Sequence, residues 1–202
     1  MDARVAVLAS GNGTNLQALL DHPTTAPWIA LVLSDRPDAF ALERARRAGV
    51  PTVTLHDASA PGALDRALAD LLLERDIEAV VLAGFMRIVG PAFVRAFEGR
   101  ILNVHPSLLP AFPGGHAVAD ALAYGAKVTG VTVHLVDERV DHGPIVYQEV
   151  VEVRDDDAWD ALETRIHEAE HRLLPEALIA LVEGRVKVDG RTVHVIGEPR
   201  GG

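Results

Sequence analysis

Arg4–Asp21 reads RVAVLASGNGTNLQALLD, and the fold is decided here. Arg4–Ala9 is a short apolar run, the pattern of a strand buried on both faces of a parallel sheet. Ser10–Asn15 (SGNGTN) follows at once, and Leu16–Asp21 continues as helix. Strand, glycine loop and helix in that order open a βαβ unit. Glycines let backbone approach an anion closely, and the free N–H groups of a helix N-terminus point at it. Gly13, Thr14 and Asn15 are therefore candidates to hold a phosphate; the plain alternative is a tight turn with a helix cap. A dinucleotide cradle fits in part, because Gly11-x-Gly13 is present and Asp35 lies about 20 residues on, after the second strand. The third glycine of that fingerprint falls on Leu16, which weakens it.

Outward from this stretch the alternation continues. Ile29–Leu33, Val53–Leu55, Ala79–Leu82 and Ile101–Val104 read as strands. Ala39–Ala48, stopped by Gly49 and Pro51, and Ala63–Arg75, with Leu64, Leu68, Leu71 and Leu72 on one face, read as helices. The expected fold is α/β: a Rossmann-like, mostly parallel sheet with helices on both faces. Pro106–His116 reads as a loop. Val128–Val136 and Ile145–Val153 read as longer strands joined by Asp137–Pro144. Asp155–Asp157 is expected to cap a long helix reaching about Glu183, with Pro175 kinking or dividing it. Val186–Val188 and Thr192–Ile196, around Asp189-Gly190, read as a terminal antiparallel hairpin. Residues 1–202 are expected to form one domain, with a phosphate-binding half (1–100) and a catalytic half (101–202).

Composition sets limits on function. The chain has 202 residues, 49% of them hydrophobic, and a formal net charge of -10. That charge argues against a binder of nucleic-acid backbone, which depends on Lys and Arg. Without cysteine there is no disulfide, thiolate nucleophile or thiolate metal site. The N-terminus has no signal-peptide layout, and Ala79–Val94 is too interrupted to span a membrane, so a cytoplasmic protein with no membrane partner is expected.

The chemistry concentrates in Asn103-Val104-His105-Pro106-Ser107-Leu108-Leu109-Pro110, at the end of a strand, where open α/β sheets gather ligands. Strand alternation puts Asn103 and His105 on one side. Acyl transfer to an amine needs an oxyanion donor, a proton for the leaving nitrogen and a base for the attacking one. Asn103 can donate to the oxyanion, and His105 can exchange protons near neutral pH. Asp141, in Val140–Pro144, is the candidate carboxylate to tune His105. His134 reads as an ordinary core or strand residue.

These segments make the chain resemble the phosphoribosylglycinamide formyltransferase family of folate-dependent enzymes in purine biosynthesis. The matching stretches are Ser10–Asn15, Phe40–Gly49 (FALERARRAG), Leu82–Ile88 (LAGFMRI), Leu102–Pro110 (LNVHPSLLP) and Val140–Pro144 (VDHGP). The resemblance implies a Rossmann-like formyltransferase fold with a C-terminal extension. It implies Asn103, His105 and Asp141 as the catalytic trio, and Gly13, Thr14, Asn15 and Glu170 as contacts to glycinamide ribonucleotide. Met86, Arg87, Ile88 and Val89, with Asp137, Glu138, Arg139 and Val140, would hold the head group of 10-formyltetrahydrofolate, a co-substrate. No metal is implied, and the expected assembly is a monomer or homodimer. Pro61 stands where some members carry a folate-contacting Arg, and the Ala111–His116 loop differs from other members at some positions.

Other readings have specific motifs. Formyltetrahydrofolate hydrolases share the trio but usually add an N-terminal regulatory domain. Methionyl-tRNA formyltransferases share the run but add a C-terminal tRNA domain. His167-Glu168-Ala169-Glu170-His171 matches the H-E-x-x-H pattern of zinc hydrolases, with both histidines on one helix face. The extended form of that motif needs a glycine and a third histidine where Leu174 and Ala177 stand. A non-catalytic nucleotide-binding module would explain the glycine loop but leave Asn103, His105 and Asp141 without a task.

Overall fold

Val5 and Val7 face one side of the first strand, and Ala6 and Leu8 face the other; all four are fully buried. This two-sided burial builds the architecture of a computed structural model that describes residues 3–55 and 62–197. Five strands run parallel: β1 (Val5–Leu8), β2 (Ile29–Ser34), β3 (Thr52–Thr54), β4 (Ala79–Leu82) and β5 (Ile101–His105). Two longer strands, β6 (Val128–Leu135) and β7 (Ile145–Glu152), continue the sheet antiparallel, giving the order β3-β2-β1-β4-β5-β6-β7. The chain steps outward from β1 to β2 and β3, then returns to the other side of β1 at β4. That reversal leaves a crevice at the carboxyl ends of β1 and β4.

Helices α1 (Thr14–Asp21), α2 (Phe40–Arg47), α5 (Ala117–Tyr124) and α6 (Trp159–Val182) share a core with Val5, Val7 and Ala9 on one face. On the other face α3 (Ala63–Leu73) and α4 (Pro91–Ala96) pack Leu68, Leu72 and Phe93 against Ala6, Leu8, Leu31 and Leu33. A separate hairpin, β8 (Val186–Asp189) and β9 (Thr192–Val195), closes the fold and packs by β9 against β7.

The parallel sheet, the two-sided helices, the antiparallel extension and the long helix are as expected. Three details differ. Asp155–Asp157 does not cap α6: the cap position is Ala158, with no side-chain bond, and Asp157 instead accepts from the Arg154 N–H and pairs with Arg165. Pro175 does not divide α6, which runs unbroken for 24 residues. Pro175 is itself buried among Leu173, Leu174, Ala177 and Leu178, so packing offsets the missing backbone bond. Helices α4 and α5 lie where no helix was expected. Pro61 lies outside the described residues.

Candidate active site

A cleft of about 770 Å³ opens at the crevice. The glycine loop, the segment after β4, the end of β5, the start of α5, the 136–141 segment and one face of α6 line it. All fifteen residues expected at the site line this cleft, from Gly13, Thr14 and Asn15 through Met86–Val89, Asn103, His105 and Asp137–Asp141 to Glu170.

At the glycine end, Gly13 has φ +74°, and a Cβ there would lie 2.7 Å from the Ala41 Cβ. Only glycine lets this loop lie so close to α2 while turning into α1. Arg44 pins the loop from outside, donating to the Asn12 carbonyl (2.8 Å) and side chain (3.0 Å). Asn15, buried in the first turn of α1, donates from Nδ2 to Glu170 Oε2 (2.8 Å), while its Oδ1 is buried without a hydrogen-bond partner among the described residues. Burial pushes the Glu170 carboxyl above its usual range, and Asn15 and His167 only partly oppose that. Ser10 ties the strand ends together: its Oγ donates to Asp35 (2.5 Å) and accepts from the Met86 N–H (2.8 Å). One Asp35 oxygen is thus engaged by Ser10, and Leu16, in the third-glycine position, is fully buried.

The other end is built by strand register. Antiparallel pairing sets His134 directly across from Asn103, and Thr132 across from His105. His134 Nδ1 lies 2.8 Å from the Leu135 carbonyl, which can only accept. In the neutral ring Nε2 therefore carries the lone pair, and it accepts from Asn103 Nδ2 at 3.1 Å. This orients the Asn103 amide, whose nitrogen also faces Asp141 Oδ1 at 3.4 Å. His134 is the site residue that sequence reasoning missed. Alternation along β6 was available, but the register that brings it opposite Asn103 was not.

His105 is 4% exposed. Its Nε2 donates to the Phe112 carbonyl (2.8 Å), and its Nδ1 lies 3.4 Å from Asp141 Oδ2. Burial is the largest influence and holds the imidazole below its ordinary pKa; Phe112 and Asp141 oppose this and His134 adds to it. Asp141 shows the reverse balance. Burial raises its carboxyl, but His134 and His105, when their rings are protonated, and the Gly114 N–H (2.7 Å) outweigh it and hold the group below the usual carboxylate range. Thr132, fully buried, donates to the Ser107 carbonyl (2.7 Å) and accepts from the Leu109 N–H (3.1 Å), fixing the loop that leaves His105. In the H-E-x-x-H segment the two imidazoles stack with centroids 6.0 Å apart, and His167 Nε2 lies 4.0 Å from Glu170. Glu168 is exposed, and no group of three or more potential ligands for a metal occurs among the described residues.

A glycine loop and an Asn–His–Asp cluster, its histidine buried, at the switch point of a mostly parallel sheet define a class of protein. The family model described as formyl transferase matches residues 3–178, and the chain belongs to that family. It is similar to the phosphoribosylglycinamide formyltransferase of Mycobacterium tuberculosis (strain ATCC 25618 / H37Rv), with 50% identity over 193 residues, 94% of this chain and 90% of that protein. The crystal structure of glycinamide ribonucleotide transformylase 1 from Symbiobacterium toebii superposes with a TM-score of 0.92 at 47% identity, covering 96% of this chain and 93% of that one. The trifunctional purine biosynthetic protein adenosine-3 of Gallus gallus is 46% identical over 92% of this chain, which spans only 19% of that relative's length.

Proposed function

We propose that this protein transfers the formyl group of 10-formyltetrahydrofolate to the amine of glycinamide ribonucleotide, giving formylglycinamide ribonucleotide and tetrahydrofolate, in purine biosynthesis in the cytoplasm. The single observation that carries this reading is the joining of two sites in one cleft. A glycine loop suited to phosphate stands at one end, and Asn103, His105 and Asp141 form one cluster at the other.

The lining of the cleft supports both substrates. The first-turn N–H groups of α1 suit the phosphate, and Glu170 suits the ribose hydroxyls. Met86, Ile88 and Val140 are 62%, 78% and 55% exposed, an uncovered apolar rim that suits a flat aromatic head group. Asp137 serves this rim indirectly, because its carboxylate accepts from Arg139 N–H and His142 within its own loop.

The folate supplies a formyl group on a nitrogen that leaves once it is protonated. Asn103 Nδ2 keeps its bond to His134, and its longer contact to Asp141 (3.4 Å) is the one a substrate oxygen replaces as negative charge builds on it. His105 Nε2 carries the ring proton while it faces the Phe112 carbonyl; once that carbonyl gives way to substrate, exchange with solvent places the proton on Nδ1, facing Asp141, and leaves the Nε2 lone pair free. That nitrogen accepts the proton lost by the attacking amine and returns it to the leaving nitrogen. Asp141 stabilises the imidazolium between the two events, and the protons balance without an outside donor.

The test follows the absorbance of formylfolate consumption with and without glycinamide ribonucleotide. Consumption only with the ribonucleotide supports transfer. Equal consumption without it reassigns the chain to hydrolysis.

A further inference from the structure

We propose that the C-terminal hairpin braces the active centre from outside, with Arg191 acting through His142 and Asp137 to position the loop that carries Asp141. This rests on the transferase reading above. Asp141 has φ +49°, a left-handed backbone uncommon outside glycine that Asp tolerates better than most residues and that its surroundings hold in place. Two features impose it from within. A Cβ on Gly143 would lie 1.7 Å from the Leu135 carbonyl oxygen, so the chain closes tightly there. Asp137 knots the loop, accepting from the Arg139 N–H through Oδ1 (2.8 Å) and from His142 Nδ1 through Oδ2 (2.7 Å).

The third constraint comes from 49 residues away. Arg191, in the turn between β8 and β9, donates from Nη2 to the His142 carbonyl at 2.7 Å. Its Nη1 directs an N–H at the imidazole, 3.2 Å from both ring nitrogens. One guanidinium thus grips the backbone and the ring of the residue that follows Asp141. A point charge could not do both; the planar fork can. The hairpin does not join the main sheet, and Arg191 is exposed, so neither sheet continuity nor burial accounts for this contact. Arg191 and His142 touch none of the reacting groups in this arrangement and are positioning residues.

The test uses the full chain as wild type, Arg191→Ala, Arg191→Lys, His142→Ala and the Arg191→Ala/His142→Ala pair, with both substrates varied. Arg191→Ala should lower kcat about tenfold, a modest share of the loss that a displacement of about 1 Å causes. It should raise KM for formylfolate, whose rim the loop forms, and leave KM for the ribonucleotide within about twofold. The double variant should be no worse than the poorer single variant, because the two residues act in series. Lys should restore little. Amide hydrogen exchange on the same proteins reads the loop without turnover: the amides of 138–143 and Gly114 should exchange about tenfold faster in Arg191→Ala. Unchanged exchange and kcat in folded Arg191→Ala, or multiplying losses in the double variant, would overturn the brace. If the wild type transfers no formyl group, the functional reading fails, and exchange alone still decides the brace.

Discussion

Replacing Asp141 by Asn removes a charge and keeps a shape. The amide oxygen can still accept the Gly114 N–H. What is lost is the attraction between a carboxylate and the imidazolium that forms at His105, whose Nδ1 lies 3.4 Å away. For unit charges at that separation the attraction is about 5 kcal/mol at an effective dielectric of about 20, and about 1 kcal/mol in bulk water. The site lies between these limits, because the Asp141 side chain is 10% exposed. Turnover should therefore fall by roughly one to three powers of ten. The sign of the pH effect is also set. His105 must begin neutral, so activity falls as pH drops through its pKa, which already lies below 6.5. Asp141 raises that pKa, so removing its charge should move the acid limb of the pH–rate profile to lower pH while the plateau falls. The assay is steady-state formyl transfer across the acid range, with thermal melts to confirm folding. A plateau within about threefold of wild type, with an unmoved acid limb, would refute the proton relay.

Asn103→Ala removes the oxyanion donor and should cost a hundred- to a thousandfold in kcat, on the order seen for such donors, with KM for both substrates nearly constant in the same assay. Glu170→Gln tests a conflict between stability and binding. A buried carboxyl whose folded pKa is raised stabilises the protein most below its unfolded pKa, and stability is lost as pH rises toward the folded value. Glutamine keeps an acceptor for Asn15 without that loss, so its melting temperature should exceed wild type by a few degrees at pH 8 and match it near pH 4, while KM for the ribonucleotide rises. Gly13→Ala forces a side chain into a left-handed residue 2.7 Å from Ala41. It should destabilise by about 1–3 kcal/mol in denaturant melts and raise KM for the phosphorylated substrate far more than for the folate.

How much of this was legible in the chain depends on the range of the forces involved. The strand, glycine loop and helix at Arg4–Asp21 declared themselves because local pattern and global burial agree there. Val5 to Leu8 are apolar since both faces of β1 are covered. The six-residue α4 gave little signal: its start at Gly90-Pro91 looked like a break in an apolar stretch, although Pro suits the first turn of a helix. Helix α5 carried a usable stop in Gly125, which ends it at φ +75°. The three aspartates at 155–157 misled for a physical reason. Carboxylates favour a helix N-terminus, but Asp157 gains more from Arg165 and the Arg154 N–H than from a cap.

His134 shows where local reasoning must stop. Alternation alone puts Asn103 and His105 on one face, because they are two positions apart and no partner is involved. Which residue of β6 lies opposite Asn103 depends on register, and register is a property of two strands and the 22 residues between them. A slip of one residue would set Val133 or Leu135 across from Asn103. The amide nitrogen would then face an alkyl group, and its orientation would no longer be fixed. The register is held one pair along from Asn103, across from His105. Thr132 bonds Ser107 and Leu109 on one side and Gln148 on the other, at 2.7, 3.1 and 2.9 Å. The antiparallel extension is thus more than a completion of the sheet. It converts a strand end with two polar side chains into a cluster in which each member's proton is placed by the next.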